Sequence, residues 1–155
     1  MRTARDVMHR PPPTTAPETP VQNAAAQILR DGVDGLCVVD GDRLIGVVTT
    51  MDLLVRGKAP HIPPVFVFLD LVVPIENPLR STEEIERMTA RDVRGLMTTE
   101  VQVATPDTPV GEIVRWMMEQ HLSLIPVVEH DRLVGVVTKP AMLREAYGLS
   151  RAPSE

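Results

Sequence analysis

The chain has 155 residues, a net charge of −5, and 43% apolar, 24% charged and 3% aromatic residues. That length fits one compact domain or two fused half-domains, and the composition is that of a globular chain. The acidic balance argues against a broad nucleic-acid surface, which needs a basic stripe, and with so few aromatics the core must come from Val, Leu, Ile, Ala and Met. Cys37 is the single cysteine, which excludes an internal disulfide and suits a reducing, cytoplasmic setting. Residues 1–6 carry no apolar signal core. The longest apolar run, 65–75, is broken by Asp70 and Pro74 and falls far short of the roughly 20 residues that span a bilayer. Neither a nucleic acid nor a membrane is therefore expected as partner.

Residues 3–8 form a short amphipathic piece, after which Pro11, Pro12, Pro13, Pro17 and Pro20 impose extended or turn backbone. A helix is expected from Thr19, with Thr as N-cap, Pro20 at the first helical position and Gln22 three residues after the cap. Val21, Ala24, Ala25, Ile28 and Leu29 give it one apolar face, and Asp31 and Gly32 close it. Residues 36–39 read as a buried strand, 40–43 as a hairpin turn and 44–48 as the return strand. Thr49 can cap a second helix running to about Arg56.

Residues 59–90 read as a linker, marked by Pro60, Pro63 and Pro64. Its strand-prone run 65–69 holds both phenylalanines. Exposure of that run would invite aggregation, so it is expected to be buried within the chain or against a second copy. Ser81 and Glu84 form a capping box for a short helix through Met88. The plan of the first half then recurs. Thr108 and Pro109 open a helix whose apolar face is Val110, Ile113, Val114, Met117 and Met118. Strands 124–128 and 133–137 turn at Glu129, His130 and Asp131. Thr138 caps a last helix ending near Gly148, and 150–155 read as a frayed tail.

The recurrence holds at a constant offset of 89 residues from Thr19/Thr108 to Leu54/Leu143, with 13 identities among 36 pairs. A repeat this long is one supersecondary unit used twice. Each unit reads strand–helix–strand–strand–helix, an α+β plan. A second echo pairs residues 3–7 with 89–93 at an offset of 86; the longer frame, which pairs Met8 with Met97, is preferred. The copies part at one informative place: the first reads Gly46-Val47-Val48-Thr49-x-x-Asp52, the second Gly135-Val136-Val137-Thr138-x-x-Ala141.

Enzymatic signals are missing. His9, His61, His121 and His130 have no metal-ligand spacing with Cys or acids, and no metal site is expected. Cys37 sits on a buried strand and reads as an inert core residue. No phosphate-binding glycine loop and no Gly-x-Ser-x-Gly elbow occurs. Catalysis is not expected.

The duplicated unit resembles a tandem pair of CBS domains, a Bateman module. The resemblance is carried by Val7-Met8 and Leu96-Met97, Thr19-Pro20-Val21 and Thr108-Pro109-Val110, 125–128 (Ile-Pro-Val-Val), and Gly46-Val-Val-Thr-x-x-Asp52. It implies two CBS repeats, 1–57 and 91–149, related by a pseudo-twofold axis and packed through their sheets, with 58–90 as linker. It also implies two clefts between the repeats that bind adenosine-containing ligands such as AMP, ADP, ATP or S-adenosylmethionine. Such modules regulate another protein and pair into homodimers; a ligand-free structural or dimerisation module is the alternative.

By position, one site would use Val47, Thr49, Met51 and Asp52 with Met97, Glu100, Gln102, Leu122 and Ser123 as adenine walls and Ile125 and Pro126 behind. A second, degenerate site would use Val136 and Thr138 with Met8, Pro13, Val33 and Asp34; it lacks the ribose carboxylate. Asp52, on the first helical turn, could accept both hydrogen bonds of a ribose 2′,3′-diol, and the helix start at Thr49 suits a phosphate. On spacing alone, Thr-x-x-Asp is equally a plain helix cap.

Overall fold

The computed structural model describes residues 1–58 and 91–149. The expected strand-prone run at 65–69, the helix through Met88 and the frayed tail lie outside these residues. Five helices and five strands are seen among them: α1 (Ala4–Val7), β1 (Thr14–Thr15), α2 (Val21–Asp31), β2 (Gly35–Asp40), β3 (Arg43–Thr49), α3 (Thr50–Lys58), α4 (Val110–Gln120), β4 (Leu124–Glu129), β5 (Arg132–Thr138) and α5 (Lys139–Tyr147), with a 3₁₀ turn at Val93–Gly95. None of the described helices is long and apolar enough to cross a membrane.

The 89-residue frame holds in three dimensions. β2 and β3 pair antiparallel with Cys37 opposite Val47, and β4 and β5 pair antiparallel with Pro126 opposite Val136. Both hairpins shift register at the same place, between Val38 and Val39 and between Val127 and Val128. β1 adds parallel to β2, and Ala104 bridges Val127 in the same sense. Helix ends match as well. Gly32 closes α2 at φ 63°, and His121, its counterpart, closes α4 at φ 54°. Thr19 and Thr108 are not the N-caps expected of them. Pro20 and Pro109 take that position with extended backbone, and their carbonyls accept the first helical N–H groups. A proline there lacks only an N–H that the helix has no use for. The threonines instead hold the preceding turn: Thr108 Oγ1 accepts from Thr105 N at 2.9 Å, and Thr15 donates to Thr19 Oγ1 at 2.9 Å.

Two cores lie under the two helix pairs, and a third lies between the sheets. The first gathers Ala24, Ile28, Leu36, Val38 and Val48, but also Val93 and Leu96 from the far half of the chain. The second gathers Ile113, Met117, Ile125, Val127 and Val137, and also Ala4. The N-terminal arm of each repeat is thus inserted in the other. Ala4 N donates to Thr108 O and Val93 N to Thr19 O; His9 and Val136 exchange both backbone hydrogen bonds, as do Thr98 and Val47. The third core, Cys37, Val47, Leu124 and Val136, joins the sheets face to face. The Leu133 N–H to Asp42 carbonyl bond, 2.9 Å, ties the hairpins at that seam.

Gly46 and Gly135 make the arm exchange possible. A Cβ on Gly46 would lie 2.9 Å from both Met97 Sδ and the Thr98 carbonyl, and one on Gly135 2.7 Å from Met8 Sδ. Each glycine admits the methionine of the opposite arm. Gly46→Ala should destabilise the fold by roughly 1–3 kcal/mol, as overpacking does, because the Thr98 carbonyl cannot swing aside as a thioether can. Urea denaturation measures this; an unchanged midpoint would show that the arm does not pack there.

Candidate functional site

The seam between the repeats opens into a cleft of about 680 Å³ on the Ala141 side. Met8, Pro13, Val33, Asp34, Val136 and Thr138, the six residues assigned by position to the degenerate site, all line it. The first repeat supplies its arm and the 32–35 turn, where Gly32 ends α2 in the left-handed conformation and Gly35 leaves room for Leu124 from the second repeat. The second repeat supplies β5 and the start of α5, where Thr138 Oγ1 caps Ala141 N–H at 3.4 Å.

Charged groups not singled out in the sequence also line this cleft: Arg2, Asp6, Arg144 and Glu145. Arg2 and Glu145 form a two-pronged ion pair, Nε to Oε1 at 2.8 Å and Nη2 to Oε2 at 2.7 Å. The hydrogen bond and charge of Glu145 raise the Arg2 guanidinium above its ordinary value. The Thr3 backbone N–H, 2.8 Å from Asp6 Oδ2, holds that carboxyl below the usual carboxylate range. The signal that could have marked the pair is the repeat itself: at an offset of 89, Arg2 matches Arg91, whereas Glu145 matches Arg56.

On the Asp52 side, Thr49 is the residue before α3 and Asp52 lies in its first turn. Asp52 Oδ2 accepts from Thr49 N at 2.9 Å and from Thr49 Oγ1 at 3.1 Å, while Thr49 Oγ1 lies 3.4 Å from Asp52 N. This reciprocal arrangement is a capping box. It occupies Oδ2 alone; Oδ1 has no partner among the described residues. Val47 is buried and Met97 half-buried beneath Gly46, Met51 is 65% exposed, and Glu100 is exposed. Gln102 is half-buried, donates to Val103 O and accepts from Gln120. Leu122 packs against the second core, Ile125 belongs to it, and Pro126 is fully buried on β4. Ser123 lines the Ala141 cleft.

Cys37 is fully buried, and burial pushes its thiol up to about 12. It is no thiolate nucleophile at neutral pH. No cluster of three or more His, Cys, Asp or Glu residues suited to a metal occurs among the described residues.

Comparison with known proteins places this architecture. The family model for the CBS domain matches residues 4–57 and 90–148. The chain belongs to the CBS-domain family. Its CBS pair is similar to that of CBSX2 from Arabidopsis thaliana, whose crystal structure in complex with AMP has 26% sequence identity and a TM-score of 0.77, covering 97% of this chain and 100% of that one. The CBS domain pair of protein MJ0100, solved with 5′-methylthioadenosine and S-adenosyl-L-methionine, shares the fold at 23% identity and a TM-score of 0.70, covering 96% of this chain and 98% of that one. Among curated proteins, the A-adding tRNA nucleotidyltransferase of Geobacter sulfurreducens is 29% identical over 147 residues, 95% of this chain but 14% of that protein. Hypoxic response protein 1 of Mycobacterium tuberculosis H37Rv is 28% identical over 146 residues, 93% of this chain and 85% of that one.

The two CBS repeats differ in how they cap the helix at the seam. Without any ligand, Asp52→Ala should remove the acceptor of Thr49 N–H and lower stability by about 0.5–2 kcal/mol. Chemical denaturation of ligand-free protein checks this, and a loss below about 0.2 kcal/mol would mean that the cap is not formed in solution.

Proposed function

We propose that this CBS pair is a regulatory sensor that binds an adenosine-containing ligand at the Asp52 side of the seam and catalyses nothing. The observation that carries the reading is the state of Asp52. The capping box fixes the carboxylate through Oδ2 and leaves Oδ1 without a partner among the described residues, so a ribose diol would meet an acceptor already oriented. Val47, which precedes the cap, is held to the opposite arm by its two bonds with Thr98. A ligand seated there would touch both repeats and favour one arrangement of them, which a regulated protein could read. It can do so only through different affinities for the two arrangements. The AMP complex of CBSX2, similar across 97% of this chain, supports the ligand class. The lone buried Cys37 fits a reducing, cytoplasmic setting.

A thermal-shift panel of adenosine, AMP, ADP, ATP, S-adenosylmethionine and 5′-methylthioadenosine tests the reading. A ligand at about 100 times its Kd adds ~2.7 kcal/mol of stability. Asp52→Ala should weaken the best ligand by roughly 1–3 kcal/mol, as loss of a charged acceptor does. No stabilisation by any of the six would leave the ligand-free dimerisation module as the better reading.

A homodimer belongs to the same proposal. Leu29 on α2 is 82% exposed and Met118, its counterpart on α4, 71%; Leu54 and Leu143 on α3 and α5 repeat the pattern at 48% and 59%. Two matched apolar patches related by the pseudo-twofold suit a self-complementary interface, which typically buries ~1,600 Å². Light scattering at tens of micromolar should give twice the chain mass, falling toward the monomer in Leu29→Glu combined with Met118→Glu. A monomeric wild type would rule this out.

A further inference from the structure

One position at the seam meets its own counterpart. Gly35 opens β2 opposite Thr49, and Leu124 opens β4 opposite Thr138. The two residues are 89 apart, so they hold the same place in the two repeats. They also touch: a Cβ built on Gly35 would lie 2.7 Å from Leu124 Cδ2. A residue that touches its own equivalent lies beside the axis relating the repeats, where each repeat must accommodate whatever the other presents there. Here one repeat presents leucine and the other presents no side chain.

Backbone conformation does not demand glycine at 35. Positive φ occurs at Gly32, Gly41 and Gly148, not at Gly35. The same Cβ would lie 2.9 Å from the Val48 carbonyl, but the second repeat carries leucine in the identical hairpin register. A hairpin of this register therefore tolerates a side chain there, and the obstacle peculiar to position 35 is Leu124. Elsewhere the face between the sheets reads alike from both sides. Val47 and Val136 are counterparts that pack in it together, as are Leu44 and Leu133. The arm exchange is alike too, with Met97 against Gly46 and Met8 against Gly135. None of these contacts tells a first repeat from a second. Cys37 and Pro126 differ, but both are fully buried side chains, whereas at 35 and 124 a side chain faces none.

We propose that Gly35 and Leu124 are the specificity pair of the seam, so that a first repeat accepts a second and each repeat rejects its like. Discrimination of this kind is built as a clash against the wrong partner. Two second repeats would bring leucine onto leucine in the space of one, and two first repeats would leave that space empty. Overpacking and cavities both destabilise.

A double-mutant cycle in the full chain tests this. Gly35→Leu sets leucine on leucine, as two second repeats would, and Leu124→Gly sets glycine on glycine, as two first repeats would. Each should lower the urea midpoint by roughly 1 M. Because the two places are equivalent, the reversed pair, Gly35→Leu with Leu124→Gly, should recover at least half of the two losses added together. Losses that simply add, or exceed their sum, overturn the pairing role. If Gly35→Leu alone does not fold, a reversed pair that unfolds cooperatively supports the role, and one that stays unfolded overturns it. Gly35→Ala gives a milder cycle: its loss beside Leu124 should be at least twice its loss beside Leu124→Ala. An equal loss in both backgrounds would assign the glycine to the Val48 carbonyl and overturn its part in pairing.

Discussion

The exchange of arms between the repeats is the constraint on which the rest of the structure depends. Ala4 is wholly buried in the core of the second repeat and Val93 in that of the first, and full burial of a valine is worth about 1.5–3 kcal/mol. Neither repeat therefore completes its core from its own contiguous sequence. Ion pairs follow the same symmetry: Arg5 lies 3.8 Å from Asp107 and Arg94 3.2 Å from Glu18, exposed pairs that orient more than they stabilise. Because each arm joins the edge of the other sheet, at His9 with Val136 and at Thr98 with Val47, the cleft on the Ala141 side is walled by both repeats.

The same exchange explains why glycine recurs in the middle of β3 and β5. A strand interior is a poor place for glycine unless another chain segment needs the space. Met97 and Met8 need it here. The methionines in turn bring the arm backbone close enough to pair, so one small residue and one flexible one together set the spacing of the seam.

Much of this could be read from the sequence because duplication writes each signal twice. The 89-residue frame, the hairpins, the Gly32 and Gly148 helix ends and the α+β plan all follow from local periodicity and turn chemistry. The frame also fits the arms: Thr3 and Asp92, 89 residues apart, precede equivalent turns. Partnership between distant residues was harder to read. Nothing in residues 1–9 says that they pack on residues 104–137, since an arm's apolar face fits either core. Pro20 and Pro109 displaced the threonines from the N-cap because an extended proline satisfies the same carbonyl geometry. The Arg2–Glu145 pair joins residues at opposite ends of the described chain, a contact that no local pattern encodes. Of the site, the six residues assigned to the Ala141 side are gathered by one cleft. The Asp52 group divides into a cap, a buried backing and an exposed rim, with Ser123 falling on the other cleft, because position in a repeat fixes the backbone but leaves each side chain to its own packing.

The two repeats, interlocked by their arms, should unfold as one body. Native-state hydrogen exchange in low urea tests it most directly, through the amides of His9 and Thr98, which bond to Val136 and Val47 across the seam. If the arms are integral to the opposite cores, both amides exchange only through global unfolding, with the same free energy as the amides of Val48 and Val137 at the centre of the hairpins. Exchange of His9 or Thr98 through a local opening several kcal/mol below the global value would contradict it, and would mean that each repeat stands without the other's arm.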